Sequence, residues 1–297
     1  MELPYAIDDP EELAHAAGVL RRLEQEELIR KLFDDTSQAP IASTSQLGLD
    51  DAATAPHQLS HYVSMALNMA TDNMRAVHAM LVPGDHLLVP LYAHYPVLRS
   101  ILEASAVAKW ILEPENRVER ITRLLRARVF DIRQDADLSK IEIDTVEAIA
   151  EPSSVDEIHE ARRTTNARRA RDVEVARRLA QENGIPWAAV KSGLPPYIHI
   201  IRAVCTVPAG AGSIGVPGGY AASVWKILSG LSHPSASRTA QHSVLEPLSE
   251  ADNGVVHARI TPSVARTEQA MTIAFNTAFE AITLFSHRRL GIFDSRP

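Results

Sequence analysis

The chain has 297 residues, 45% of them hydrophobic, and a formal net charge of −7. That length supports a sizeable core in one large domain or two small ones, and the acidic balance argues against broad nucleic-acid binding. The single cysteine, Cys205, excludes an intramolecular disulfide framework and a thiolate-rich metal site. Met1-Glu-Leu-Pro-Tyr5 has neither the basic nor the apolar region of a signal peptide, and no apolar run reaches the length of a membrane span. A cytoplasmic protein without membrane association is expected.

Asp8-Asp9-Pro10-Glu11-Glu12 carries a cap, a proline at the first helical position and acids at the positive end of the dipole, so it opens a helix. Leu13, Ala17, Leu20, Leu23 and Ile29 continue it to about Asp35. Residues 36–55 are rich in Ser, Thr, Ala, Asp and Gln and read as a long loop. His57 to Leu81 has a helical apolar face. Between His86 and Leu112, Pro90 marks a start and Pro96 a kink or restart. Residues 115–138 form an amphipathic helix, followed by a short element from Ser139 to Ala150. Ser153 and Ser154 cap a charged, projecting helix spanning 152–183, with Gly184 as its stop.

The texture changes after Pro195. Tyr197 to Val204 is a short apolar run compatible with helix or strand. Residues 208–219 form a Gly/Pro loop, and Tyr220 to Leu231 a buried helix. Ser243–Leu248 and Val255–Ile260 suggest a small β-hairpin, and Thr261-Pro262 opens a last helix to about Arg289. The expected fold is all-α: one helical domain over 1–297, a bundle of about seven to nine helices.

Within Tyr95–Leu112, Arg99 and Glu103 stand one turn apart among Val97, Leu98, Ile101, Leu102, Val107, Ile111 and Leu112. A charge pair in such surroundings is either a structural clamp or one wall of a ligand pocket. Trp225-Lys-Ile-Leu-Ser-Gly-Leu-Ser-His-Pro234 carries a second polar series, with Ser229 and His233 four apart at a helix end. Joined to the first pair, it makes a candidate site. His233 and Glu103 would exchange protons, while Arg99, Ser229 and Trp225 hold the substrate.

Other motifs lead less far. His57-x-x-x-His61 has metal-ligand spacing but no identified third ligand, and Glu12-Leu-Ala-His15 is a lone Glu-x-x-His on a helix that reads as surface. No metal site is assigned. Gly210-Ala-Gly-Ser-Ile-Gly215 matches a dinucleotide fingerprint formally, yet lacks the strand before it and the helix directly after it. Asp34-Asp35 and Asp50-Asp51 lack the third aspartate of a diphosphate-magnesium site. There is no Gly-x-Ser-x-Gly elbow or Gly-Lys-Ser/Thr loop. No cofactor is named by any motif. Between Val155 and Glu182, seven arginines face six acids, which favours a solvated, self-paired helix over a phosphate-binding one.

Leu98-Arg-Ser-Ile-Leu-Glu103, with Trp110 beyond it, and Trp225 to His233 together resemble a broad set of uncharacterised helical proteins common in actinobacteria. In that set an Arg-x-x-x-Glu helix accompanies an aromatic-x-x-x-Ser-x-x-x-His helix. The resemblance implies an all-α fold and a paired polar site, not an activity. Some of those proteins look similar to the HEPN group of helical RNA-cleaving toxins, whose motif is Arg and His separated by four to six residues. Arg238-Thr-Ala-Gln-His242 has only three, which speaks against ribonuclease chemistry. Three hypotheses follow: a small-molecule enzyme or ligand-binding protein, an RNA-directed toxin or phage-defence protein, and a structural protein, such as a homodimer, in which the pair fixes helix register.

Overall fold

The computed structural model describes residues 9–149, 155–206, 217–250, 253 and 256–290. Among them are eleven helices: α1 (Pro10–Gln38), α2 (Gln46–Thr54), α3 (Leu59–Leu81), α4 (His94–Leu112), α5 (Arg117–Ile149), α6 (Val155–Glu182), α7 (Trp187–Val190), α8 (Tyr197–Val204), α9 (Gly218–Leu231), α10 (Ala236–His242) and α11 (Val264–Arg289). Strands β1 (Ser243–Pro247) and β2 (Ala258–Pro262) pair antiparallel, with Leu245 opposite Ile260. The all-α expectation with one hairpin holds. Two of the eleven helices, α7 and α10, are at most two turns long. No described helix is long and apolar enough to cross a membrane.

Helix α4 is the central element, with 13 of its 19 residues buried. Leu98, Ile101, Leu102, Ile111 and Leu112 are fully enclosed by α3, α11, α8 and α9. Each such side chain contributes about 1.5–3 kcal/mol on burial. Helix α1 packs against α11 and α3 through Val19, Leu23, Ile29 and Phe33. Its start is formed as expected: Asp9 accepts a hydrogen bond from the Glu11 amide, and Pro10 occupies the first turn.

Helix α5 has two faces. Leu124 and Ala127 enter the main core, whereas Ile121, Leu125 and Val129 join Ala176, Leu179 and Ala180 of α6 and Val190 of α7 in a second cluster. Gly184, at φ +68°, ends α6, and the Ile185 amide reaches back to the Ala180 carbonyl at 2.8 Å. The distal half of the α5–α6 hairpin extends beyond this cluster, leaving Ile141 and Ile149 exposed. Arg162 there bridges Asp144 and Glu147 across the two helices.

Several boundaries differ from expectation. The 36–55 segment is not a continuous loop: α1 runs to Gln38, and Gln46–Thr54 is helical, capped by Ser45. The local composition hid α2 because its stability comes from burying Leu47 and Asp50 rather than from periodicity. Of the short element expected over 139–150, the described residues up to Ile149 continue α5. Helix α4 begins at His94, with Pro96 in its first turn, where a missing amide costs nothing. Tyr197–Val204 is a helix. The Ser153/Ser154 cap and the Gly210–Gly215 match lie outside the described residues.

Two arginine clamps lock the α4–α5 connection. Asp50 and Arg120, 0% and 2% exposed, form a two-pronged pair at 2.6 and 3.0 Å. Burial pushes the Asp50 carboxyl upward, while Arg120, Arg117 and Arg288 pull it back. Arg120 also donates to the carbonyls of Pro114 and Glu115, and Arg288 to those of Leu112, Glu113 and Pro114. These guanidiniums satisfy carbonyls left open at the C-terminus of α4.

Candidate functional site

Three of the five expected site residues meet. Arg99 Nε donates to Glu103 Oε1 at 2.8 Å, and Trp225 Nε1 donates to the same oxygen at 2.7 Å. The Arg99 guanidinium lies 5.5 Å from the centre of the Trp225 ring. Glu103 therefore joins α4 to α9, and Arg99 is stacked on the indole it helps to anchor. The ion pair is not sealed: its side chains are 26% and 18% exposed. Among the described residues Arg99 bonds through Nε alone, so both terminal nitrogens of its fork remain for another acceptor.

Ser229 and His233 stand apart from this contact. Among the described residues, neither hydrogen-bonds to Arg99, Glu103 or Trp225. Helix α9 ends at Leu231, so the expected one-turn relation between Ser229 and His233 does not continue through a helix. Ser229 is half-buried; His233 is exposed beside a cavity of about 630 Å³ with Tyr92, Pro234, Thr239, Leu245 and Ile260 in its walls. That cavity lies between α10 and the β-hairpin, an arrangement no local pattern announces.

A set of residues unremarked in the sequence extends the Arg99–Glu103–Trp225 contact instead. Tyr197, on α8, is pushed toward a higher pKa by burial and then by the negative charges of Glu103 and Asp131, with Arg99 opposing them. Tyr62, on α3, is likewise raised by burial and by Asp131. Asp131 itself, on α5, is pushed up to about 6 by burial, with Asp135 adding to the shift and Arg128 opposing it. Arg128 Nη1 lies 3.7 Å from Asp131 Oδ2, and among the described residues its buried Nε has no hydrogen-bond partner. Tyr197 thus feels the charges of both Glu103 on α4 and Asp131 on α5, and Tyr62 on α3 feels Asp131, so these half-buried groups are grouped with the Arg99–Glu103–Trp225 contact as one seam.

The sequence held one usable signal for the α5 part. Leu124 and Ala127 face the main core, and a step of four from each leads to Arg128 and Asp131. Charges that continue a core stripe are candidates for a paired or functional role. The α3 and α8 contributions carry no such signal, because Tyr62 and Tyr197 look like ordinary aromatic residues of apolar faces.

The remaining candidates are structural or solvated. Asp50 is the buried partner of Arg120, not a metal ligand. Among the described residues no group of three or more His, Cys, Asp or Glu is placed to hold a metal ion. His61 is exposed, and His57 is half-buried with its pKa lowered by burial and Arg128. On α6, Arg163, Arg168, Arg177 and Arg178 pair with Glu160, Asp172, Glu174 and Glu182, as the charge balance suggested. Cys205 is buried, and its thiol is pushed up to about 11 by burial, which disfavours the nucleophilic thiolate. No protein-family model, curated protein or solved structure matches the chain.

Proposed function

We propose that the protein binds a small anionic molecule along the Tyr62–Asp131–Tyr197–Glu103–Arg99–Trp225 seam and exchanges a proton with it there. The observation that carries this reading is the open fork of Arg99. Trp225 and Glu103 hold its Nε side rigidly, and the terminal nitrogens remain as a two-pronged donor for a carboxylate or phosphate. Trp225 offers the same molecule an apolar wall. Tyr62 and Tyr197 are held as neutral phenols by burial, so their hydroxyls can donate to an acceptor. Asp131, with a pKa near 6, can take or give a proton close to neutral pH.

Glu103 is a positioning residue in this scheme, since its Oε1 is occupied by Arg99 and Trp225. The clamp also suits a purely structural protein, in which the pair sets the register of α4 against α9. Thermal unfolding with a panel of metabolite-sized carboxylates and phosphates separates the two. Binding predicts a ligand-induced rise in Tm that Arg99→Gln and Asp131→Asn both abolish, with the unliganded Tm changing little. If no acid in the panel raises Tm, or if the rise survives both substitutions, the binding role is wrong and the structural one stands.

A further inference from the structure

A second polar cavity lies between α1, α9 and the first turns of α11. Its volume is about 480 Å³, within the range of metabolite-binding pockets. His15 and Arg22 of α1 and Arg266, Glu268 and Gln269 of α11 supply its polar groups, with Tyr220 of α9 at one wall. None of these belongs to the Arg99–Trp225 seam, and the inference does not rest on it.

The construction is specific. His15 Nδ1 lies 2.7 Å from Glu268 Oε2. When Nδ1 carries the proton and donates it to that carboxylate, Nε2 is left as a hydrogen-bond acceptor. The Glu268 carboxylate can occupy this place only because residue 18 is glycine. A Cβ there would stand 1.8 Å from Glu268 Oε1. Gly18 is buried in the middle of α1, where glycine costs about 1 kcal/mol relative to alanine, so the carboxylate's position is bought at the expense of helix propensity.

The two arginines are partly held and partly open. Arg22 Nε donates to Thr272 at 3.2 Å and its Nη1 to Gln25 at 2.8 Å, which among the described residues leaves Nη2. Arg266 Nη1 donates to Gln269 at 3.0 Å, and Gln269 in turn bonds Tyr220. Among the described residues, neither guanidinium has a carboxylate within ion-pair distance. Two positive forks against one carboxylate leave the cavity with an excess of positive charge. A hydrogen-bonded imidazole stands beside them.

We propose that this cavity binds a small oxyanion that also carries a hydroxyl group. The acid group sits on the open nitrogens of Arg22 and Arg266, and the hydroxyl donates to Nε2 of His15. A hydroxy acid and a phosphate monoester of a polyol share this chemistry, and the choice of probe distinguishes them.

Isothermal titration of the full chain with malate, succinate, glycerol 3-phosphate and inorganic phosphate tests the assignment. The expected result is binding of malate or glycerol 3-phosphate, tighter by about fivefold or more than succinate or inorganic phosphate respectively. Which of the two pairs binds identifies the acid as carboxylate or phosphate. Arg22→Gln and Arg266→Gln should each weaken binding about tenfold or more, and Arg171→Gln, an exposed arginine on α6, should not. His15→Gln should remove the preference for the hydroxylated probe while keeping residual affinity for the acid. Circular dichroism verifies that each variant is folded, and Gly18→Ala, which displaces the Glu268 carboxylate, gives a second route to the same loss. No binding of any probe at about 10 mM overturns the proposal. So does binding that survives the Arg22 and Arg266 substitutions but falls with Arg99→Gln, which would assign the acid to the seam.

Discussion

Two of the protein's Arg–carboxylate pairs look equivalent as chemistry and are opposite in setting. Asp50–Arg120 is sealed: both side chains are at most 2% exposed, both carboxylate oxygens are engaged, and the guanidinium also caps two backbone carbonyls. Arg99–Glu103 is held on one side only. One carboxylate oxygen receives both Arg99 and Trp225, and the pair remains partly open to solvent. A closed pair acts on the chain connection it ties together. An open one leaves donors for a ligand. Burial of the unused hydrogen-bonding groups, rather than the presence of opposite charges, separates structural from candidate functional pairs in this fold.

Breaking the sealed pair should have the largest effect. Asp50→Ala leaves the Arg120 charge buried without its partner and is expected to lower unfolding free energy by about 3–5 kcal/mol in urea titrations. An equally large loss from breaking the open pair would erase the contrast. Glu103→Gln retains an acceptor for Trp225 and removes only the charge, so a loss of about 1 kcal/mol is expected, with the main consequence on ligand-induced stabilisation.

The pH dependence sharpens the contrast from another direction, because two buried groups act with opposite sign. His94, fully buried beside Thr267, has its pKa lowered to about 4 by burial. The unfolded chain binds its proton more readily, so the stability His94 contributes is present above about pH 6.5 and is lost as pH falls toward 4. Asp131, raised to about 6, behaves inversely. Its favourable contribution is present below about pH 3.9 and is lost as pH rises through 6, so the native state carries its carboxylate at a cost at neutrality. Asp131→Asn should therefore leave stability at pH 7 unchanged or higher while abolishing proton exchange in the seam. His94→Gln should flatten the acid limb of a stability–pH curve, and Asp131→Asn should steepen it. Equal curves for wild type and Asp131→Asn between pH 4 and 6 would remove the seam's titrating group.

The smallest effect is expected on α6. Arg163 and Arg177 are exposed and paired locally with Glu160 and Glu174, so Arg163→Ala or Arg177→Ala should change unfolding free energy by no more than about 0.5 kcal/mol. Retained binding to a mixed-sequence RNA at low salt, lost on replacing Arg168, Arg169 and Arg171 together, would return the helix to the functional account.

Much of the architecture is legible in local sequence. The Asp9-Pro10-Glu11-Glu12 start, the Gly184 stop and the apolar period of α3 and α11 each act over a few residues, through caps, φ preferences and one helix face. The charged pair in an apolar helix was also visible, because Arg99 and Glu103 lie one turn apart. Where that pair leads was not visible. Trp225 lies far along the chain on α9, and only packing of α4 against α9 brings its indole to Glu103. Asp131 and Tyr197 reach the same seam from α5 and α8. The Glu26 carboxylate, 1% exposed and paired with Arg30 and His78, has no pattern to mark it, since its burial depends on how α1 lies against α3. Gly18 likewise reads as a weak point in a helix until α11 places Glu268 over it. Local sequence determines most of the helices, because caps and apolar periods act over a few residues, while α2 forms where tertiary burial of Leu47 and Asp50 supports it. Tertiary structure alone decides which charges are sealed and which remain open, because burial belongs to the surfaces between helices.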